Sequence, residues 1–202
     1  MNVNVISQND KPDVIYISDF LNQKEADELL AKIKTRADFH QNYIQIYGTK
    51  AVPRLEAWYG SWDYPYSNGV ILKAAPVPDY LLTVMARLKA REFGEYNAVL
   101  INRYRDGSDH ISWHSDDDFG DSKPTIASLT LGAVRPFRLR PRADKTKLIE
   151  YTPGHGSLII MRGRTNAEWE HSVPKTAKPI GERINLTFRF KSCSAMEVPA
   201  RD

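Results

Sequence analysis

The sequence predicts an α+β fold, in which a sandwich or jelly roll of short strands carries N-terminal helices packed on one sheet. Two amphipathic segments come first, at residues 22–34 and 79–92. Short segments rich in β-branched and aromatic residues follow, separated by Gly, Pro and Asp. This order is typical of helices laid on one face of an antiparallel sheet. A length of 202 residues suits one domain.

The helices are predicted by apolar side chains at helical spacing. Asn22 is the candidate N-cap of the first helix, and Glu25 three residues later completes a capping box. The second helix is entered through Pro76 and Pro78. The residues expected to face the core are Ala26, Leu29, Leu30 and Ile33 in the first helix and Leu81, Leu82, Met85 and Leu88 in the second.

Six later segments are predicted to be strands because they are short, β-branched or aromatic and bounded by turn residues. They are 97–104, 126–131, 136–140, 147–151, 157–162 and 183–190. We expect one domain in three parts. Residues 1–96 form an N-terminal extension with an aromatic lid at about 43–66, residues 97–191 the core, and residues 192–202 a C-terminal tail.

The last predicted strand, 183–190, has an alternating pattern. Its apolar positions are Ile184, Leu186, Phe188 and Phe190, and its polar positions are Arg183, Asn185, Thr187 and Arg189. One interpretation places the polar face in water, as in many antiparallel sheets. The other places it in a cavity where two arginines bind carboxylates.

Composition and charge exclude several classes of protein. The single Cys193 rules out an internal disulfide and a thiolate zinc site. No apolar run is long enough to span a membrane, and residues 1–20 lack a secretory signal, so we expect a soluble cytoplasmic domain. The net charge of +3 is unevenly distributed, with a basic segment at 135–147 and an acidic one at 106–121. These are either two solvated loops or a surface for a polyanion beside a bound cation.

Three residues could form a metal site. His114 and Asp116 share a face if their segment is extended, and His171 lies 55 residues beyond Asp116. Two histidines and one carboxylate form the facial triad of non-haem iron(II) oxygenases, which leaves three positions open. A histidine by itself is more often an ordinary polar residue. The combination with Arg183 and Arg189 on the last strand favours the metal site.

Ordered motifs carry a family resemblance between about residues 43 and 191. They are Asn102-Arg103-Tyr104, Trp113-His114-Ser115-Asp116-Asp117-Asp118, Ala127-Ser128-Leu129-Thr130-Leu131-Gly132-Ala133, His155-Gly156-Ser157-Leu158 and Arg183-Ile184-Asn185-Leu186-Thr187-Phe188-Arg189. This set resembles the AlkB family of iron(II)- and 2-oxoglutarate-dependent nucleic-acid dealkylases. Pro53-Arg54 followed by Trp58-Tyr59-Gly60 resembles the branch with the mammalian double-strand and single-strand repair homologues.

The resemblance implies a double-stranded β-helix (jelly roll) with a nucleotide-recognition lid, and it implies roles for individual residues. The catalytic and iron-binding residues would be His114, Asp116 and His171. The residues that hold 2-oxoglutarate would be Asn102, Tyr104, Arg183, Asn185 and Arg189. The residues that contact the substrate would be Trp58, Tyr64, Tyr66, Asp118 and Tyr47.

Each substrate residue has a simpler interpretation. The aromatic residues could pack in the core or in a strand, and Asp118 could serve only the solubility of its loop. In the functional interpretation, Tyr47 enters the base stack as a wedge, and Asp118 accepts a hydrogen bond from the exocyclic amine of the target base. The 135–147 segment would then contact phosphates.

The implied activity is oxidative demethylation of N-alkylated bases in DNA or RNA, a direct reversal of alkylation damage. It would use iron(II), O2 and 2-oxoglutarate, which is decarboxylated to succinate and CO2 while formaldehyde is released. We expect a monomer with nucleic acid as partner and no membrane association. Two alternatives stay open: a hydroxylase of a protein or small metabolite, and a non-catalytic nucleic-acid-binding module.

Overall fold

The six-stranded antiparallel sheet forms the centre of the protein. The computed structural model describes residues 11–45, 47–65, 70–116 and 125–191. In chain order, the strands of this sheet are β1 (Val14–Ile17), β4 (Leu55–Tyr59), β7 (Ala98–Tyr104), β9 (Ile126–Gly132), β12 (Leu158–Met161) and β14 (Arg183–Arg189). Their order across the sheet is β1-β12-β9-β14-β7-β4, which makes β14 a central strand.

A four-stranded sheet packs against it. Its strands are β8 (Ile111–His114), β10 (Phe137–Pro141), β11 (Ile149–Tyr151) and β13 (Trp169–Val173), in the order β11-β10-β13-β8. One apolar cluster contains residues of both sheets, among them Tyr104, Ile159, Leu139 and Val173. The two sheets therefore enclose a shared core, as in a jelly roll.

Two short ribbons and a short helix complete the strand region. The ribbons pair β2 (Tyr43–Gln45) with β3 (Thr49–Ala51), and β5 (Tyr64–Pro65) with β6 (Ile71–Leu72). The helix α3 spans Thr165–Glu168. Within the segment predicted to be a lid, residues 43–45 and 47–65 thus contain ribbon strands together with β4, one of the two edge strands of the larger sheet.

Helices α1 (Gln23–Arg36) and α2 (Asp79–Ala90) pack on one face of the larger sheet, as predicted. Their buried side chains share a core cluster with strands β7, β9, β12 and β14. The capping box at α1 is present: Asn22 accepts a hydrogen bond from the Glu25 backbone, and Glu25 accepts one from the Asn22 backbone. Within the described residues, no helix is both long and apolar enough to cross a membrane.

Two apolar residues do not face the core as the sequence predicts. Leu82 is 49% exposed, because the buried stripe of α2 runs through Leu81, Val84, Met85 and Leu88, and Leu82 lies to one side of it. Phe190 is 42% exposed, because β14 ends one residue earlier at Arg189. The apolar pattern thus predicts the helix and the strand correctly, but it predicts burial wrongly for Leu82 and Phe190.

Candidate active site

The polar face of β14 lines a cavity of about 900 Å³. Arg183, Asn185, Thr187 and Arg189 on this face are all buried. The structure therefore places the polar face of this strand in a cavity and not in water, and the binding of carboxylates by the two arginines stays a prediction. Among the described lining residues, Asp116 is the only acidic one, whereas lysine and arginine contribute five: Lys50, Arg54, Lys175, Arg183 and Arg189. Such a cavity attracts anions.

The three predicted metal ligands meet in this cavity. His114 ends β8 and is the register partner of His171 on β13, and Asp116 follows two residues after His114. The Asp116 carboxylate lies 3.5 Å from Nε2 of His171 and 3.9 Å from Nε2 of His114. One ligand atom from each residue lies within 4.8 Å of the others. This spacing suits a single metal ion.

The orientation of the His114 ring is fixed by its own strand. Nδ1 lies 2.9 Å from the backbone carbonyl of Ser112, which assigns the proton to Nδ1 and leaves the Nε2 lone pair facing Asp116. The two imidazole rings lie 4.2 Å apart, and Phe137 packs 5.2 Å from His171. Both rings are therefore held in place before a metal binds.

The protonation states of the triad match what a divalent metal needs. Burial would raise the pKa of Asp116, but Arg189 and the two imidazoles outweigh it and lower that pKa to about 2. Burial, together with His114, lowers the pKa of His171 to about 3. Burial also lowers the pKa of His114. A carboxylate and two neutral imidazoles are the donor forms that bind iron(II).

Arg189 connects the triad to the aromatic side of the cavity. Its Nη2 donates to Oδ1 of Asp116 at 2.6 Å, and its Nη1 donates to the Tyr64 hydroxyl at 3.3 Å. The guanidinium also lies 5.2 Å from the centre of the Tyr64 ring. Arg189 is buried, so its charge acts in a poorly solvated environment.

Arg183 has the features of a receptor for a carboxylate. It is buried, and its Nη2 donates to Thr130 Oγ1 at 3.0 Å and to Asn185 Oδ1 at 2.8 Å. Nε and Nη1 have no hydrogen-bond partner within the described residues. Burial lowers the pKa of Arg183 to about 10. A buried charge without a counter-ion is unfavourable by several kcal/mol. An anion bound beside the Arg183 guanidinium would therefore offset this cost.

Asn102 and Tyr104 lie on β7, beside β14. Asn102 is the register partner of Asn185, and Tyr104 that of Arg183. Both line the cavity. The structure thus brings together all five residues predicted to hold 2-oxoglutarate. Two guanidinium groups at separate points of one strand fit a dicarboxylate.

The predicted substrate residues lie in different environments. Tyr64 lines the cavity. Trp58 is buried in an apolar cluster with Trp62, and its ring stacks on Tyr64 at 4.9 Å, so it supports Tyr64 from behind instead of lining the cavity. Tyr47 is fully exposed at the tip of the β2–β3 hairpin, and not packed in a strand. Tyr66 and Asp118 lie outside the described residues.

The basic segment 135–147 is less available to phosphates than the sequence predicts. Arg135 is fully buried and donates to the backbone carbonyls of Asp106, Asp109 and Pro174. Arg138 pairs with Glu150, and Arg140 pairs with Glu170. Both glutamates come from neighbouring strands. Arg142 donates to the Ser115 hydroxyl and Lys147 pairs with Asp144, so five of the segment's six cations have a partner within the fold.

Sequence reasoning missed a second group of cations at the cavity. Lys50 on β3 and Lys175 after β13 are exposed and line the cavity together with His110. Burial lowers the pKa of His110, and Lys175 contributes to this shift. Arg54 also lines the cavity, although its place in the Pro53-Arg54 motif gave it no predicted role.

Comparison with protein families supports an oxygenase site. The family model of the 2OG-Fe(II) oxygenase superfamily matches residues 13–189. The alpha-ketoglutarate-dependent dioxygenase alkB homolog 3 of Mus musculus is 37% identical over 183 residues, covering 84% of this chain and 63% of that protein. The DNA oxidative demethylase ALKBH2 of Homo sapiens is 34% identical over 179 residues, covering 82% of this chain and 68% of that protein. The chain thus spans a little under two thirds of the first relative.

Solved structures support the fold. The structure of OsALKBH1 superposes with a TM-score of 0.66 at 16% identity, covering 89% of this chain and 99% of that chain. A prolyl hydroxylase from Trichoplax adhaerens, in complex with a peptide fragment of hypoxia inducible factor, superposes with a TM-score of 0.62 at 12% identity, covering 93% and 87%. The predicted jelly roll with helices on one sheet is confirmed.

Proposed function

Since the chain belongs to the 2OG-Fe(II) oxygenase superfamily and, within it, to the AlkB family, we propose that it oxidatively demethylates N-alkylated bases of nucleic acid. The observation that carries this proposal is the triad, with Asp116 and His171 buried and His114 half-buried, beside two buried arginines on one strand face. A module that only binds nucleic acid has no need of either feature, so that alternative is not favoured.

The described residues fit the cofactors of such an enzyme. His114, Asp116 and His171 would hold iron(II), and the slot lined by Asn102, Tyr104, Arg183, Asn185 and Arg189 would hold 2-oxoglutarate. When bound with O2, these groups supply the oxidation, in which 2-oxoglutarate becomes succinate and CO2 and the methyl group leaves as formaldehyde. The chain itself contributes ligands, orientation and exclusion of water.

The two arginines would orient 2-oxoglutarate by its carboxylates. Nε and Nη1 of Arg183 are buried and have no hydrogen-bond partner among the described residues, so Arg183 would bind one carboxylate deep in the cavity. Arg189 lies next to the metal ligand Asp116, so it would bind the carboxylate nearer the metal. Charge-assisted bonds of this kind fix position as well as affinity.

The cavity is large enough for a base turned out of its strand. Its volume of about 900 Å³ lies in the range of small-molecule sites. A methyl group inside a duplex cannot reach the metal, so the base must be extruded at a cost of a few kcal/mol. Tyr64 would contact the extruded base, with Trp58 stacked behind it. Tyr66 and Asp118 are proposed to contact the base as well.

The β2–β3 hairpin would probe the strand from which the base is turned out. Tyr47 at its tip has φ +48° and Gly48 has φ +100°. A left-handed conformation costs a residue other than glycine about 1–2 kcal/mol, and such strain is often found at functional positions. An exposed aromatic ring held in this way is suited to enter the gap in the base stack.

Phosphates would be bound at the rim of the cavity instead of by the whole 135–147 segment. Lys50 and Lys175 are exposed lining residues that reach the rim from different parts of the fold, one from β3 and one from the segment after β13. Lysine binds phosphate as a point charge and carries no sequence preference. We also propose that the protein acts as a cytoplasmic monomer.

The test of this function is incubation with iron(II), 2-oxoglutarate and oligonucleotides that contain 1-methyladenine or 3-methylcytosine. We expect loss of the methyl group by mass spectrometry, with succinate formed in equal amount. His171→Ala, which removes a triad ligand, serves as the inactive control. Succinate formation with unchanged oligonucleotides would point to a protein or metabolite substrate, and the absence of both products would contradict the proposal.

A further inference from the structure

A buried ion pair lies beside the proposed 2-oxoglutarate slot. Arg54 is 3% exposed and Glu56 is 1% exposed, and Nη2 of Arg54 lies 2.8 Å from Oε1 of Glu56. Arg54 lines the cavity. The same guanidinium donates from Nε to Oδ1 of Asn102 at 2.8 Å and from Nη1 to the His110 carbonyl at 3.2 Å.

The bond to Asn102 determines how that side chain faces the slot. Arginine can only donate hydrogen bonds, so the amide oxygen of Asn102 must face Arg54. The amide nitrogen then faces away from Arg54, and Asn102 lines the cavity between Arg54 and the polar face of β14. An anion held in the cavity could then accept hydrogen bonds from the two N–H groups of this nitrogen.

Glu56 is fixed from its other side, so it can hold Arg54 in one position. Its Oε2 accepts a hydrogen bond from Asn42 Nδ2 at 2.9 Å. Its backbone pairs with His40 in an isolated bridge, with hydrogen bonds of 2.8 Å and 3.0 Å. Glu56 is also the register partner of Asn102, so strand pairing sets the distance between the two side chains.

We propose that Arg54 is a positioning residue for 2-oxoglutarate: held by Glu56, it fixes the Asn102 amide so that its N–H groups donate to the cosubstrate. This inference rests on the cosubstrate slot of the proposed function. Burial of an ion pair is weak evidence for a purely stabilising role, because apolar residues of similar volume are often as stable. The hydrogen bond from Arg54 to Asn102 gives the Arg54–Glu56 pair a role in the 2-oxoglutarate slot as well.

The test measures binding of 2-oxoglutarate to the full chain by titration calorimetry, with Mn(II) in place of iron. The double variant Arg54→Met/Glu56→Gln removes both charges, so no lone charge stays buried. We expect its dissociation constant for 2-oxoglutarate to rise about tenfold or more, as for the loss of one hydrogen bond to a charged group. The affinity for Mn(II) should stay within about twofold, because the triad is untouched.

A further comparison shows whether Arg54 acts through Asn102. If it does, the triple variant with Asn102→Ala, Arg54→Met and Glu56→Gln should bind 2-oxoglutarate no more than about twofold more weakly than Asn102→Ala alone. The reason is that both sets of changes remove the same interaction. If the triple variant instead shows the product of the two separate fold-losses in 2-oxoglutarate affinity, the changes act independently and the proposal is overturned. Wild-type affinity in the double variant would overturn it as well.

Arg54→Lys decides the question if the double variant does not fold. Lysine keeps the charge opposite Glu56 but lacks the planar fork that reaches both Glu56 and Asn102, so we expect affinity to fall about threefold or more. Unchanged affinity in this variant would overturn the proposal. The matched control is Arg138→Lys, which alters an exposed cross-strand Arg–Glu pair and should bind 2-oxoglutarate like the wild type.

The two proposals fail in different ways. If the wild type binds 2-oxoglutarate and the Arg54 variants bind it equally well, the role of Arg54 is wrong and the proposed function stands. If the wild type does not bind 2-oxoglutarate, the cosubstrate of the proposed function is wrong, and the role of Arg54 falls with it.

Discussion

Arg189 and Asp116 form a buried pair, with Nη2 of the arginine 2.6 Å from Oδ1 of the carboxylate. The carboxylate is also one of the three predicted metal ligands. In the metal-free protein Arg189 is therefore the cation that compensates Asp116, and a bound metal would share this task.

Replacement of Arg189 by methionine should leave Asp116 without its counter-ion. We expect the metal-free protein to lose about 3–5 kcal/mol of unfolding free energy, as for other broken buried pairs. Mn(II) should restore part of this loss by supplying a cation. Thermal unfolding with and without Mn(II) measures both effects, and 2-oxoglutarate binding should weaken far more than oligonucleotide binding. Equal losses in the two affinities would contradict the role of Arg189.

Replacement of Tyr47 by alanine should change selectivity without changing stability. The side chain is fully exposed, so the melting temperature should stay within about 2 °C of the wild type. Activity on duplex lesions should fall relative to activity on single-stranded lesions, because the wedge is needed only where a stack must be opened. Rates on the two substrates under the same conditions give the ratio, and an unchanged ratio would show that Tyr47 is not a wedge.

Salt dependence should identify the residues that bind phosphates. Replacing Lys50 and Lys175 by glutamine should reduce the slope of log affinity against log salt by about 1.4 for single-stranded DNA, or about 0.7 for each phosphate that is no longer neutralised. Replacing Arg138 and Arg140 by glutamine should leave the slope nearly unchanged, because both are paired with glutamates. Fluorescence anisotropy over a range of salt concentrations measures the slopes. If the arginine variants reduce the slope and the lysine variants do not, the 135–147 segment binds the phosphates instead.

Asp109 should contribute stability that depends on pH. Its buried carboxylate accepts three hydrogen bonds from Arg105, at 2.9, 2.8 and 2.8 Å. Burial raises the pKa of Asp109, but these bonds outweigh it, so the net pKa is lowered. A lowered pKa gives stability that is present above the unfolded value of about 3.9 and is lost as pH falls through the folded value.

Asp109→Asn should therefore be less stable than the wild type by about 1–3 kcal/mol at neutral pH. The difference should shrink as pH falls below about 4, because the carboxyl of the unfolded wild type is protonated there before that of the folded protein. Urea unfolding at several pH values measures the difference. If the difference in unfolding free energy stays constant down to acid pH, the charge of Asp109 contributes nothing to stability.

The helices and the central strand were predictable because each carries its own pattern. The capping box at Asn22 and the alternation of β14 need no knowledge of the rest of the chain. Strand β4 was hidden in an aromatic segment, and it becomes a strand because β7 offers it an open edge. Such edge strands are defined by their neighbour more than by their composition.

In the candidate site, too, some features follow from local sequence patterns and others depend on residues that are distant in sequence. The triad and the two arginines follow from motif order. The pairing of Arg138 with Glu150 and of Arg140 with Glu170 does not, because it depends on the register between strands that are distant in sequence. The bond from Arg54 to Asn102 likewise joins residues 48 positions apart and was not predictable from either one.

The two predicted histidine ligands, His114 and His171, lie opposite each other on adjacent hydrogen-bonded strands, and the sheet sets the distance between their rings. We therefore expect an ion to be loaded and removed without refolding, and divalent ions of comparable size to compete for the one site. The donor set of two imidazoles and one carboxylate, together with the cellular supply of each metal, would then determine which ion occupies the site.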